Sequence, residues 1–150
     1  MSTKEELAEE AQERDLELHA LVGRLSPEEM DVPGLNKEGW AAKDALWHLG
    51  CWSAEAACQI ERVRLGTYAE QEWDDVATNA RYLEEGRRQD LATVKAELAS
   101  ARNRALQEWG ALEEITREAE EWFRDSEVVH YDDHLAELRV WVAEIESRRG

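Results

Sequence analysis

Apolar residues recur every three to four positions along this chain, which is the spacing of one face of an α-helix. The first such stripe runs through Leu7, Ala11, Leu18, Leu21, Val22 and Leu25. Ser2 and Glu5 have the spacing of a capping box. This first helix is therefore predicted to begin at about Thr3 and to end near Leu25.

A turn, a break and a second helix are predicted next. Ser26-Pro27-Glu28-Glu29 combines a cap, an early proline and an acid, which is typical of a short helical turn. Val32-Pro33-Gly34 then breaks the chain. Helix 2 is predicted over about 41–65, with Gly66 as its left-handed C-cap. Its inward face reads Ala45, His48, Leu49, Trp52, Ala56, Ile60 and Val63.

The third helical segment is less regular. Asp74 and Asp75 can cap it, the pattern weakens over 86–89, and Asp90 can restart it. This predicts either one broken helix or two helices in series. Residues 110–125 connect onward and are expected to hold another short helix.

The last predicted helix begins at Asp125 or Ser126 and runs to about Arg148. Its inner face reads His130, Tyr131, His134, Leu135, Leu138, Trp141, Val142 and Ile145. Strand-like alternation and internal repeats are absent from the sequence. The pattern thus predicts an all-α protein, one domain over residues 1–150, built as a bundle of four main helices in which helix 3 is broken or split.

Charge and composition exclude several partners. The chain has 18 Lys and Arg against 35 Asp and Glu, a net charge of −17, which disfavours nucleic acids and anionic membranes. No apolar run approaches the ~20 residues of a membrane span, and the N-terminal residues have no apolar signal region, so we expect a cytoplasmic protein. Cys51 and Cys58 lie seven apart, roughly 10 Å along one helix, and are expected to stay reduced.

The histidines carry the candidate chemistry. His130 and His134 are four residues apart, so their rings stack on one side of a helix and can grip one metal ion. His48 lies in the inward stripe of helix 2 and is the natural third ligand. If helices 2 and 4 run parallel, all three rings meet at one level of the bundle. The alternative is that each is an ordinary core or surface histidine.

Other residues are candidates for the surroundings of this site. Glu127 could hydrogen-bond a ligand ring, or could simply be an acid favoured by a helix N-terminus. Cys51, three after His48, either reaches the metal or is a buried structural thiol. Trp52 and Tyr131 could wall an apolar pocket or serve ordinary core and rim packing.

Two segments resemble a known family. The sequence of residues 40–49, WAAKDALWHL, is similar to the helix 2 signature of the DinB/YfiT-like metalloenzyme superfamily. Residues 130–141, HYDDHLAELRVW, resemble the last helix of that superfamily, and the His-Tyr-x-x-His pattern is similar to its ClbS/DfsB-like branch.

The resemblance implies a four-helix bundle, often homodimeric, with zinc, nickel or a similar ion at His48, His130 and His134. Some members of the superfamily are transferases or isomerases that use a low-molecular-weight thiol, such as maleylpyruvate isomerase, and others are stress or resistance proteins. We therefore expect a metal-dependent enzyme, a thiol-dependent S-transferase or isomerase acting on a small electrophile. The alternative is a non-catalytic protein that sequesters a small molecule.

Overall fold

The structure is a computed structural model that describes residues 3–150, and within that range the chain forms helices and no strand. Its α-helices are α1 Lys4–Val22, α2 Ala42–Leu65, α3 Asp75–Arg87, α4 Leu91–Ala111, α5 Arg117–Arg124 and α6 His130–Arg148. A 3₁₀ turn covers Glu29–Asp31, and a π-helical turn covers Asp125–Val129. The all-α prediction is confirmed.

The first helix starts with a capping box one residue later than predicted. Ser2 lies outside the described residues. Thr3 Oγ1 accepts a hydrogen bond from the Glu6 N–H (3.1 Å), and the Glu6 carboxylate accepts one from the Thr3 N–H (3.3 Å). The helix ends at Val22 rather than Leu25, and tight turns continue the chain, with the Arg24 N–H donating to the Leu21 carbonyl.

The turn and the second helix agree with the sequence prediction. Ser26 and Glu29 exchange backbone-to-side-chain hydrogen bonds of 2.8 and 3.1 Å at the 3₁₀ turn. Ala41 has no side-chain acceptor, so Asp44 Oδ2 closes the start of α2 by accepting from the Ala41 N–H (2.8 Å). Gly66 ends α2 with φ = 75°, a left-handed conformation that glycine adopts without steric cost.

The third segment is two helices rather than one broken helix. Asp74 caps α3 by accepting from the Ala77 N–H (3.0 Å), and Asp90 caps α4 by accepting from the Thr93 N–H (2.7 Å). Each aspartate satisfies a backbone donor that has no partner inside its helix.

The prediction that the last helix begins at Asp125 or Ser126 is wrong. The helix begins after Thr116, whose hydroxyl accepts from the Ala119 N–H (3.2 Å). From there α5, the π turn and α6 follow one another without leaving the right-handed helical region of the backbone. Because the helix does not start at Asp125 or Ser126, neither side chain is needed as a cap there.

The helices enclose two hydrophobic clusters. α2 packs chiefly against α4, and α1 against α6, while α3 and α5 pack on α2. The first cluster includes Leu18, Leu49, Leu98 and Leu138, and the second includes Leu7, Ile60, Trp109 and Phe123.

Four buried polar residues lie along the helices between members of the two clusters. We call them the polar layer: Asp15, Ser53, Arg102 and Glu127. Arg102 Nε lies 3.4 Å from Asp15 Oδ1, and the Ser53 hydroxyl donates to Glu127 Oε2 at 2.8 Å. Each of these groups therefore has a partner in the layer, which offsets part of the cost of burying it, although Glu127 Oε1 and Asp15 Oδ1 have no hydrogen-bond partner among the described residues.

None of the described helices combines the length and the apolar character needed to cross a bilayer.

Gly86, in the last turn of α3, is predicted to be required for the contact between α3 and α2. A Cβ at this position would overlap Cδ1 and Cγ of the Trp47 indole, whereas a Cβ at Gly110 in α4 meets open space. We expect Gly86→Ala to lower the free energy of unfolding by about 1–2 kcal/mol through overpacking. The matched control, Gly110→Ala, should raise it by up to about 1 kcal/mol through helix propensity.

Chemical denaturation of both variants and the wild-type protein measures these changes. Equal stabilisation by the two substitutions would show that α3 is not held against Trp47 as the structure describes.

Candidate metal centre

Three histidine rings converge between α2 and α6, as the sequence predicted. His48 comes from the first half of α2, and His130 and His134 come from the first two turns of α6. The ring centroids lie 4.7 to 5.2 Å apart, and one nitrogen of each ring lies within 4.8 Å of the others. His48 and His134 are buried, and His130 is partly exposed. This convergence makes the three rings a candidate ligand set.

The spacing of the nitrogens is compatible with a small divalent ion. His130 Nε2 and His134 Nε2 are 3.1 Å apart. Two nitrogens bound tetrahedrally to zinc at 2.0–2.1 Å are separated by about 3.3 Å. The widest separation in the cluster, 4.8 Å, requires the rings to close by at most roughly 1.5 Å.

Two neighbours of the rings were not singled out by the sequence. Glu137 Oε1 accepts a hydrogen bond from His134 Nδ1 (2.8 Å), which leaves the lone pair of a neutral His134 on Nε2, facing His130. Trp40 stacks on the His134 ring with centroids 5.9 Å apart, and meets His48 edge-on at 4.9 Å. Together Glu137 and Trp40 fix the orientation of the pair formed by His48 and His134.

Burial favours the neutral form of His48 and His130 by lowering the pKa of each ring. Desolvation first, and then the neighbouring His134, lower the pKa of His48 to about 4. Desolvation, then His134 and His48, lower the pKa of His130 to about 2. Neutral imidazole is the form that coordinates metal ions.

One buried nitrogen of the cluster has no hydrogen-bond partner. His48 Nδ1 is buried and unpaired among residues 3–150. An unsatisfied polar atom in the interior costs about 1–3 kcal/mol. Both this nitrogen and the neutral all-imidazole donor set are compatible with a cation held among the rings.

A groove of ≈ 460 Å³ opens beside the rings. His48 and His130 line it, so a molecule in the groove reaches two of the three imidazoles, while His134 lies behind them. The size is that of a small-molecule site.

Three tryptophans form one side of the groove. Trp52 of α2, Trp73 of the segment before α3 and Trp122 of α5 all line it. The Trp73 ring lies 5.8 Å from both of the others, at interplanar angles of 63° and 73°. Trp52 Nε1 donates to Asn79 Oδ1 (2.8 Å), and Trp122 Nε1 donates to the Tyr68 hydroxyl (3.4 Å). Hydrogen bonds therefore hold two of the three rings, Trp52 and Trp122, in their orientations.

Among the other sequence candidates, only Trp52 lines the groove. Tyr131 is 1% exposed and belongs to the first hydrophobic cluster, so it does not wall the pocket. Cys51 is half-buried outside the groove lining, and burial raises the pKa of its thiol to about 12. Its sulfur is not among the donor atoms that converge with the histidine nitrogens, which favours the interpretation of Cys51 as a structural thiol.

Glu127 does not hydrogen-bond a histidine. It is 1% exposed in the polar layer, where Oε2 accepts from Ser53 and Oε1 has no partner among the described residues. The histidine partner is Glu137 instead. The spacing of His134 and Glu137, three residues on one helix face, is the signal that sequence reasoning could have used.

Trp73 and Trp122 were also missed. They lie on different segments, Trp73 before α3 and Trp122 in α5, and the tryptophan excess, seven in the chain, did not indicate which of them would meet.

The helical fold and the buried histidine cluster together define the class of this chain: an all-helical protein with a candidate metal centre. The chain is similar in fold to the crystal structure of an uncharacterised protein from Escherichia coli UTI89, with a TM-score of 0.77 and 15% sequence identity over 97% of this chain and 96% of that chain. No protein-family model matches the chain, and no curated protein matches it significantly.

Glu127 is predicted to make stability fall as pH rises. Burial raises the pKa of its carboxyl from 4.5 to about 7, so the folded protein retains this proton to a higher pH than the unfolded chain does. The contribution of the protonated Glu127 carboxyl to the free energy of unfolding is therefore fully present below about pH 4.5 and is lost between about pH 4.5 and 7. The loss is about 3 kcal/mol, set by the difference in pKa.

Glu127→Gln should match the wild type in unfolding free energy near pH 5 and exceed it by about 1–3 kcal/mol near pH 8. Urea denaturation at both pH values measures the difference, with the exposed Glu113→Gln as control. A gap between Glu127→Gln and wild type that does not widen with pH would contradict the burial of this carboxyl in its folded environment.

Proposed function

We propose that this chain is a divalent-metal-dependent enzyme of the DinB/YfiT-like kind, with a four-helix bundle. It would act on a small electrophile together with a low-molecular-weight thiol, either transferring the thiol to the electrophile or isomerising the electrophile. The observation that carries the proposal is the cluster of His48, His130 and His134, whose donor nitrogens lie within 4.8 Å of one another beside a groove of ≈ 460 Å³. The likeness of residues 40–49 and 130–141 to that superfamily supports it.

Zinc or nickel suits this donor set. Imidazole nitrogen is a good ligand for both ions, and three neutral rings leave the charge of a divalent ion uncompensated. When bound, such an ion supplies Lewis acidity, which lowers the pKa of a thiol or water in contact with it.

The chain's own residues would bind the ion and orient the rings around it. His48 and His130 present their rings to the groove, and Glu137 holds His134 in a single orientation through its hydrogen bond. Trp40 covers His48 and His134 and keeps water from that side of the cluster. No residue of the groove is assigned as a general base.

The nucleophilic thiol has to come from outside the chain. Neither Cys51 nor Cys58 lines the groove. The raised pKa of Cys51 keeps its sulfur protonated at neutral pH, and protonated thiols are poor nucleophiles. A free thiol of low molecular weight would therefore be a second substrate.

A non-catalytic protein that sequesters a small molecule is the second candidate. The anchored aromatic side of the groove supports it, because such a surface can hold a ligand without reacting with it. The two candidates differ in turnover, which only the enzyme shows.

Metal binding is predicted to depend on all three rings and on Glu137. Protein purified without a histidine tag should carry zinc or nickel at about one equivalent, measured by elemental analysis. His130→Ala should abolish the binding, and Glu137→Gln should weaken it about 10–100-fold through loss of the ring's hydrogen-bond partner.

His19→Ala is the matched control, since His19 is exposed on α1 and pairs with Asp15 rather than with the cluster. Metal retained at full occupancy in His130→Ala would rule out the site.

Turnover is predicted to require the metal. Zinc- or nickel-loaded protein should accelerate the conjugation of a small thiol such as cysteamine with an electrophile, and chelation or His48→Ala should reduce the rate at least about 100-fold. Cys51→Ala should leave the rate within about twofold, because Cys51 does not line the groove. A loaded protein that binds thiol and electrophile without accelerating their reaction would favour sequestration.

A further inference from the structure

We infer that the groove beside the histidines selects a small organic cation, a molecule whose alkylated ammonium group lies against Trp52, Trp73 and Trp122 while its other end reaches His48 and His130. The inference rests on the proposed function, because this molecule would be the substrate of that site. It names the substrate's charge and shape, which the three-histidine site does not specify.

Aromatic faces are the first support. A tetraalkylammonium group is attracted to the negative faces of aromatic rings, and tryptophan is the strongest partner. The three indoles meet at steep angles around Trp73, so they form a concave corner rather than one flat surface. The hydrogen bonds of Trp52 to Asn79 and of Trp122 to Tyr68 hold two sides of the corner in place. A preformed corner reduces the ordering cost of binding.

Charge is the second support. The groove is lined by acidic side chains and by no lysine or arginine; the acids are Glu70, Asp75, Glu121, Asp125 and Asp133. Glu121 pairs with Arg117 at 3.2 Å, whereas the other four have no ion pair to a described residue. The groove therefore holds negative charge that the protein itself does not neutralise.

Some acids elsewhere on the surface are paired with arginines, for example Glu17 with Arg139 and Glu29 with Arg149, and the net charge of −17 leaves many others unpaired. The acids of the groove are distinguished by their position, because they line the same cavity as three indoles. Within the groove, burial and the neighbouring Glu121 raise the pKa of Asp125, and Arg124 does not reverse that direction. Unpaired acids beside anchored indoles form a site that attracts a cation through both its charge and its apolar alkyl groups.

The same features exclude other substrates. A small dicarboxylate would be repelled by the acids that line the groove, and a neutral apolar molecule would gain nothing from them. The groove should therefore discriminate between molecules of one shape by charge alone.

Choline and its neutral isostere 3,3-dimethylbutan-1-ol are the probes, because they have the same shape and differ in one charge. Each is titrated into metal-stripped and metal-loaded protein, and the tryptophan indole N–H signals are followed by NMR. We expect choline to bind at least about tenfold more tightly than the alcohol. The signals of Trp52, Trp73 and Trp122 should shift, and that of Trp109, buried in the second cluster, should not.

Two variants and one control locate the effect. Trp73→Leu and Asp125→Asn should each weaken choline binding at least about threefold. Glu72→Gln should change it by less than about twofold, because Glu72 is an exposed neighbour of Trp73 that does not line the groove. Asp125→Asn keeps the test decisive if Trp73→Leu fails to fold.

The inference is overturned if the alcohol binds as tightly as choline, if choline fails to bind below about 10 mM, or if the shifted signals lie outside the groove. Choline binding to a protein that takes up no metal would support the inference and contradict the metal-dependent function. Metal uptake without choline binding would contradict the inference and leave the metal-dependent function standing. The two proposals therefore fail separately.

Discussion

Three imidazole rings packed against one another, two of them buried and one partly exposed, are the constraint around which this structure is arranged. Burying a polar ring costs free energy, so the surrounding structure has to hold it in place. Here apolar neighbours hold the rings on both helices. Leu49 follows His48 in α2, and Leu135 follows His134 in α6, and both belong to the first hydrophobic cluster. The packing of that cluster therefore sets the distance between the rings, and the groove extends from the side on which His48 and His130 remain accessible.

The fold and the histidine cluster were largely predictable from periodicity. His48 and His134 occur where the apolar stripes of α2 and α6 require an inward-facing residue, and four-residue spacing brings His130 beside His134. The C-terminal end of α2 followed from Gly66. The three rings meet as predicted, but their height in the bundle was counted from the wrong helix start, since helical structure begins after Thr116 rather than at Asp125.

The sequence could not show which distant segments of the chain come into contact. Trp73 and Trp122 meet because a connection and a short helix fold toward α2, and no local pattern encodes that meeting. For Glu127 the sequence left two interpretations open, a hydrogen bond to a ligand ring or an acid favoured by a helix N-terminus. The π turn and the partner hydroxyl of Ser53 instead place it in the polar layer, where helix-period reasoning does not apply.

The π turn at Asp125–Val129 has a geometric consequence for the directions in which Trp122 and His130 point. In an unbroken α-helix, Trp122 and His130 would point about 80° apart, because each residue advances about 100°. The wider turn absorbs about one residue's rotation, so both side chains face one cleft. Deleting a single residue from this turn would rotate α5 relative to α6, so Trp122 would turn away from the groove while the three histidines stayed together.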